Sequence, residues 1–406
     1  MHKILLINTV ANQGSTGRIS EEIGLTAMQR GYECWSAYGR KANPSKLNLI
    51  KVGTDLDFKL HALQSRLFDN HGFASTAATR IFVKRIQEIQ PNIINLHNIH
   101  GYFLNMEVLF EYLATTNIPV VWTFHDCWPI TGHCSYFDAT HCFRWKTGCY
   151  DCPNKQGYPE SIWLDRSKVN YEKKKRLIHG IRNLTIVTPS QWLADIVAES
   201  YLKDYPTKLI HNGVNLDVFK PVADESFIKL LGLDLSKKLI LGVANTWDRR
   251  KGLADFEEIA KRMPADWQIL LVGLSAQQVT NLPANIQGIT RTQNVKQLAA
   301  LYSLADVFVN PTYVDNFPTT NIEALACGTP IVTYHTGGSP EAVDSETGVV
   351  VEQGNLGKLM DGIKLILSKD KAIVSKSCRD RAVSLYNKQD RFNDYVSLFD
   401  SLIKTL

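Results

Sequence analysis

Two carboxylates eight positions apart, Asp315 and Glu323, stand in "DNFPTTNIEALACGTPIV", just after the apolar run "ADVFVNP". An apolar strand, a polar loop and a short helix stopped by Gly328 and Pro330 would put the two acids on either side of a helix start. Helical geometry leaves the first amides of such a helix, around Thr319, Thr320 and Asn321, without partners, and these suit a phosphate. Flanking carboxylates suit sugar hydroxyls. Together they describe a nucleotide-sugar site, with phosphate on amides and sugars on acids. A plainer reading also fits: Thr320 to Glu323 is a capping box, and Asp315-Asn316 an ordinary turn.

Other stretches carry chemistry of the same kind. "GVANTWDRRKG" follows an apolar run and offers Arg249, Arg250 and Lys251, either to a phosphate or as surface charge. "NQGSTGR" places Gly14 and Gly17 directly after the first apolar run, where missing side chains let backbone amides approach a ligand. His125 in "TFHDCWPITGHC" and His97, His100 and Tyr102 in "HNIHGYFLN" stand at two further strand ends, to line a site or to pack their loops. Five of the eight cysteines fall between 127 and 152, and Cys134, Cys142, Cys149 and Cys152 follow a C-x7-C-x6-C-x2-C spacing. Four thiolates so spaced can close a tetrahedral, structural zinc site. Free thiols and disulfides remain the alternatives.

These residues need rigid elements behind them. "KILLINTV", "NIINLHN", "IPVVWTFHD", "LTIVTPS" and "TKLIHNG" read as strands apolar along their length, and the pattern restarts with "KLILGVAN", "WQILLVG", "ADVFVNP" and "TPIVTY". Such strands, alternating with helical patterns, predict parallel sheets covered on both faces. Two series predict an α/β protein of two doubly wound, Rossmann-like domains facing a cleft. The first is placed at 1–218 with a Cys-rich loop at 127–152, the second at 219–385. A terminal helix is placed at 386–406. "NGVNLDVFKPVADE" reads as the linker. Within a helical stretch from about 372, Val383, Leu385, Tyr386, Phe392, Tyr395, Phe399 and Leu402 are expected to be buried.

Hydrophobic content of 44% and charged content of 21% are those of a globular protein, and 406 residues exceed one ordinary core. The apolar run near the start, Ile4 to Ile7, is too short for a signal-peptide core, and no run is long enough to span a membrane. A cytoplasmic location is expected. Residues 1–220 hold 25 Lys+Arg against 19 Asp+Glu (+6), and the rest hold 20 against 21 (−1). The basic excess, including "RSKVNYEKKKRLIHGIR", is either a solvated helix face or an attraction to an anionic membrane or lipid-linked substrate. No motif for nucleic acid accompanies it.

The acidic pair and "EALACGTPIV" after it resemble the signature of the group 1, family-four type of retaining glycosyltransferases with the GT-B fold, in the polysaccharide-biosynthesis branch. That signature has Glu at the first position, where this chain has Asp315. "TGGSPEAV", "NGVNLDVF" and "NQGSTGR" resemble further family elements. Lys251 matches the family's phosphate lysine, while Thr246 stands where an arginine is usual. The resemblance implies transfer of a sugar from a nucleotide-sugar donor, a UDP- or GDP-sugar, to a glycan or lipid-linked acceptor, without a required metal. It implies a terminal helix that crosses back to the first domain, and His125, Lys251 and Asp315 at the reaction centre. Gly14, Gly17, Arg249, Arg250, Thr319, Thr320, Asn321 and Glu323 would serve the donor, and His97, His100 and Tyr102 the acceptor side. A sugar-nucleotide 2-epimerase of the same fold and a non-catalytic nucleotide-sugar-binding module are the alternatives.

Overall fold

The computed structural model describes residues 1–404, and the chain divides into two compact units. The first comprises Met1–His211 and Arg391–Leu406, the second Asn212–Asp390.

The first unit holds a seven-stranded sheet: β1 (Lys3–Asn8), β2 (Glu33–Tyr38), β3 (Asn48–Lys51), β4 (Ile93–Leu96), β5 (Val120–Thr123), β6 (Leu184–Thr188) and β7 (Thr207–Leu209). Every pairing is parallel, in the order β3-β2-β1-β4-β5-β6-β7. The second unit holds six: β8 (Lys238–Val243), β9 (Trp267–Val272), β10 (Ile286–Ile289), β11 (Val307–Asn310), β12 (Ile331–Tyr334) and β13 (Gly348–Val351). These are also all parallel, in the order β10-β9-β8-β11-β12-β13.

The central strands are apolar throughout because helices cover both sheet faces: Ile4, Leu5, Leu6 and Ile7 of β1 are fully buried, as are Val307 and Phe308 of β11. In each sheet the order reverses between the first strand and its fourth, β1/β4 and β8/β11. Ligands of open parallel sheets bind beyond the strand ends at such a switch point. The loops leaving β1, β4, β8 and β11 are where such a ligand would sit, and they carry "NQGSTGR", "HNIHGYFLN", the basic turn and the acidic stretch singled out above, while His125 follows β5.

Three details depart from the sequence reading. The division between units falls at His211/Asn212 rather than 218/219, because Val214 and Phe219 of the expected linker are buried in the second unit's core. Val214 also exchanges backbone hydrogen bonds with the 386–388 segment, N to Tyr386 O at 2.7 Å and O from Lys388 N at 3.0 Å. The terminal segment is two helices, Lys371–Tyr386 and Lys388–Lys404, and Val383 and Leu385 are exposed rather than buried. Phe392, Tyr395 and Phe399 are buried, against the first unit's core.

Candidate functional site

In the second unit the loops after β8, β11 and β12 are tied to one another. Asp248 caps the turn Arg249–Lys251, its carboxylate accepting the Lys251 amide at 3.2 Å. The Arg250 carbonyl accepts the Tyr313 amide at 2.8 Å. Gly252, at φ +74°, lies so close to the next loop that a Cβ would stand 2.3 Å from the Pro311 carbonyl oxygen. Across this junction Lys251 Nζ pairs with the Asp315 carboxylate. The Asn316 carbonyl accepts the Gly338 amide at 2.8 Å, and a Cβ on Gly337 (φ +51°) would fall 1.8 Å from the Asp315 carbonyl oxygen. Gly337 of "TGGSPEAV" is thus required by close packing against the acidic loop.

The helix Thr319–Ala326 begins at Pro318 with no side-chain cap. The capping box considered from the sequence does not form. Glu323 instead lies one turn in, where its Oε2 accepts the buried Tyr302 hydroxyl at 3.2 Å. At the helix start, the Asn321 amide bonds the Pro318 carbonyl at 3.1 Å. Thr319 and Thr320, half-buried, stand first on that helix. Asn321 is expected to serve the donor through its backbone amide, which bonds the Pro318 carbonyl. Its side chain is fully buried, accepts from Asn310 Nδ2 at 2.8 Å and donates to Ser339 Oγ at 3.0 Å, so it locks β11, the helix and the glycine turn together. Arg249 is exposed, and Arg250 half-buried beside Asp248 at 3.8 Å. Sequence reading passed over Asp255, whose Oδ1 accepts Tyr313 and Tyr334 hydroxyls at 3.2 and 3.1 Å. Burial pushes its carboxyl above the usual value against those bonds. An acid inside an amphipathic helix gives no sequence signal for this role.

In the first unit Gly14 opens the helix Gly14–Gln29 at φ +63° with nothing near a would-be Cβ. Gly17 packs on the strand-end loop, where a Cβ would stand 3.0 Å from Val10. Asn8 joins this loop to the one after β4: its Nδ2 donates to the Val10 carbonyl at 2.8 Å and its Oδ1 accepts the Asn98 amide at 3.2 Å.

His125, half-buried just beyond β5, shares a 2.9 Å hydrogen bond between its Nε2 and His97 Nδ1. Burial lowers the His125 pKa to about 4, and burial with His125 beside it holds His97 well below the usual range. Both rings are neutral near pH 7. His97 and His100 do not line an open surface as expected of them. Both are buried, His97 behind His125 and His100 against Asp126 (Nε2 to Oδ2, 2.9 Å). Burial opposes the Asp126 charge, but His100 and the Trp128 amide outweigh it and hold the carboxyl below its ordinary value. Tyr102 is half-buried at φ +69°, its ring against those of His61, His71 and Tyr158.

Cys134, Cys142, Cys149 and Cys152 all border one small cavity of ≈ 10 Å³. All eight cysteines are free thiols. Among the described residues, no three His, Cys, Asp or Glu side chains are so arranged that they could hold a metal ion. No helix among them is long and apolar enough to cross a membrane.

Comparison with known proteins matches residues 29–218 to the profile of Glycosyltransferase Family 4 and residues 237–369 to that of Glycosyl transferases group 1. A protein of Escherichia coli K12 named for glycosyl transfer in colanic acid biosynthesis, WcaC, is 23% identical over 98% of this chain and 100% of its own. Sucrose-phosphate synthase of Thermosynechococcus elongatus superposes with a TM-score of 0.74 at 20% identity, covering 100% of both chains. Anabaena HepE in complex with UDP-glucose superposes at 0.68 and 15% identity, over 99% of this chain and 100% of that one. The two parallel sheets and these neighbours establish the GT-B fold.

Proposed function

Since the chain belongs to the group 1, family 4 glycosyltransferases, we propose that it moves a sugar from a nucleotide-sugar donor to a glycan or lipid-linked acceptor in cell-surface polysaccharide synthesis, with retention of anomeric configuration. The observation that carries the donor assignment is the junction in the second unit, where Lys251 meets Asp315 beside an uncapped helix start. A diphosphate arriving there finds an ammonium and helix amides. As it departs with the nucleotide, the same groups stabilise the growing charge, which is what lowers the barrier. Asp315 holds Lys251 in place and is near enough to the phosphate position to meet a sugar hydroxyl. Glu323 is the acid for the ribose.

On this reading the cations of the chain, Lys251 with Arg249 and Arg250, neutralise the leaving group, and no metal cofactor is called for. His125 is neutral and can exchange a hydrogen bond with the transferred sugar without bringing a competing charge. His97 fixes its ring. The acceptor hydroxyl is activated by position against the anomeric carbon. Peripheral attachment to an anionic membrane at a cytoplasmic face accords with the +6 excess in residues 1–220.

The test is product analysis. With a UDP- or GDP-sugar and a lipid-linked glycan acceptor, the expected product is an extended glycan, its new linkage bearing the donor's anomeric configuration by NMR. An epimerised nucleotide sugar formed from donor alone would favour the epimerase. Donor binding with no turnover on any acceptor would favour a binding module.

A further inference from the structure

Between β5 and the helix Ser167–His179, residues 124–166 contain no strand or α-helix, only three short 3-10 turns. Structureless segments longer than about 15 residues are uncommon inside compact domains, and something must hold them. Yet this segment is part of the core. Cys127, Trp128, Ile130, Cys134, Phe137 and Trp145 are buried in the first unit's main cluster.

Four thiols from 19 residues of chain border the same small cavity, those of Cys134, Cys142, Cys149 and Cys152. The Cys134 and Cys152 side chains are neighbours. The Gly132 amide donates to Cys149 Sγ at 3.1 Å, an approach only glycine permits, since a Cβ there would stand 1.9 Å from the Ser167 carbonyl oxygen.

Two buried polar side chains stand beside the thiols. The Lys174 side chain, fully buried, donates to the carbonyls of Trp128 (2.8 Å) and Thr131 (3.0 Å), with its Nζ 3.4 Å from the Trp128 ring centroid. Cys149 and Cys134 are near enough for their charges to act on it. His133, 2% exposed, borders the cavity, gives Nδ1 to Asp69 at 2.5 Å and leaves Nε2 without a partner.

We propose that Cys134, Cys142, Cys149 and Cys152 are the ligands of a structural zinc ion. On binding, four S–H bonds break, four Zn–S bonds form and four protons leave to solvent. The Zn(Cys)4 centre carries a net charge of −2, partly offset by the Lys174 ammonium and by the Gly132 N–H donated to Cys149. The four thiols border one cavity but are not yet arranged to hold an ion, so coordination requires the segment to draw them together. The ion staples the segment that delivers Tyr158, whose hydroxyl lies 3.4 Å from His100 Nδ1, to the histidine cluster of the first unit. The proposal stands on the first unit alone and does not depend on glycosyl transfer.

The full chain, expressed with zinc in the medium and purified without chelator, is assayed by elemental analysis. About one zinc per chain is expected, released to a chromogenic chelator as a mercurial titrates the thiols. Cobalt exchanged into the site should give thiolate charge-transfer bands and the intense visible bands of a tetrahedral ion. Cys142→Ser and Cys152→Ser should lose the zinc, and Cys327→Ser should keep it. If the serine variants do not fold, the metal content and cobalt spectrum of the unaltered chain decide. Folded protein with substoichiometric zinc, iron in its place, disulfides among these four cysteines, or zinc retained in both serine variants would each overturn the proposal.

Discussion

Lys251 is the residue on which the donor assignment rests, and its environment was half legible in the sequence. The Lys-Gly pair marked it, but its partner Asp315 lies 64 positions away and only the fold brings the two together. Lys251→Ala should lower kcat/KM by ~10²-fold or more, as loss of one transition-state donor does, while the melting temperature changes little because the ion pair is partly solvated. Steady-state kinetics with a thermal melt checks both. The histidines behave differently. Burial pushes His61 down to about 3 and His125 to about 4. Both are neutral when folded and take a proton near 6.5 when unfolded. The unfolded state therefore binds more protons below 6.5, so stability falls as pH drops from about 6.5 towards those folded values. His61, enclosed by Ser75, His71 and Tyr102, accepts the Gly72 amide at 3.2 Å through Nε2 and cannot do so once charged. His61→Gln should flatten the decline in melting temperature between pH 6.5 and 4. An unchanged slope would remove His61 from the account.

At the scale of elements, two connections govern how well the donor loops are held. Asn321 joins β11, its own helix and the glycine turn through buried hydrogen bonds, and Asn321→Ala should cost ~1–3 kcal/mol by leaving Asn310 and Ser339 short of partners. Denaturant unfolding measures that directly. Gly337→Ala acts on the loop instead. With φ at +51° and the Asp315 carbonyl oxygen 1.8 Å from the new Cβ, the acidic loop must shift. Donor affinity should therefore fall more than global stability, by calorimetry against a melt. The strands were read readily because burial on both sheet faces makes them apolar throughout. Harder to see were the edge strands β3, with Asn48, Leu49 and Lys51 exposed, and β10, interrupted by Gly288. The locking role of the Asn321 side chain was hidden for a related reason. Its position at a helix start points to the backbone amide, and which way the side chain turns depends on neighbours eleven and eighteen residues away, Asn310 and Ser339. His97 and His100 were likewise identified as important, while their burial behind His125 and against Asp126 is a property of the packed sheet.

At the scale of the molecule, each unit is a complete doubly wound sheet with its chemistry at the switch-point loops, so binding and stability can be probed by mass action on the full chain. A ligand that binds only the folded protein stabilises it by about 2.7 kcal/mol at a hundredfold excess over Kd. The basic first half also predicts adsorption to anionic lipid vesicles that weakens as salt rises, checked by co-sedimentation, since attraction to a charged surface is screened. The central claim is that the second unit binds a nucleotide sugar through Lys251 and the acidic loop. The measurement that tests it most directly is thermal stabilisation by a panel of UDP-, GDP-, ADP- and dTDP-sugars, on this chain and on Lys251→Ala and Glu323→Ala. The account predicts a shift selective for UDP- or GDP-sugars and lost or sharply reduced in both variants. No shift with any donor at millimolar concentration, or one that both variants retain in full, would contradict it.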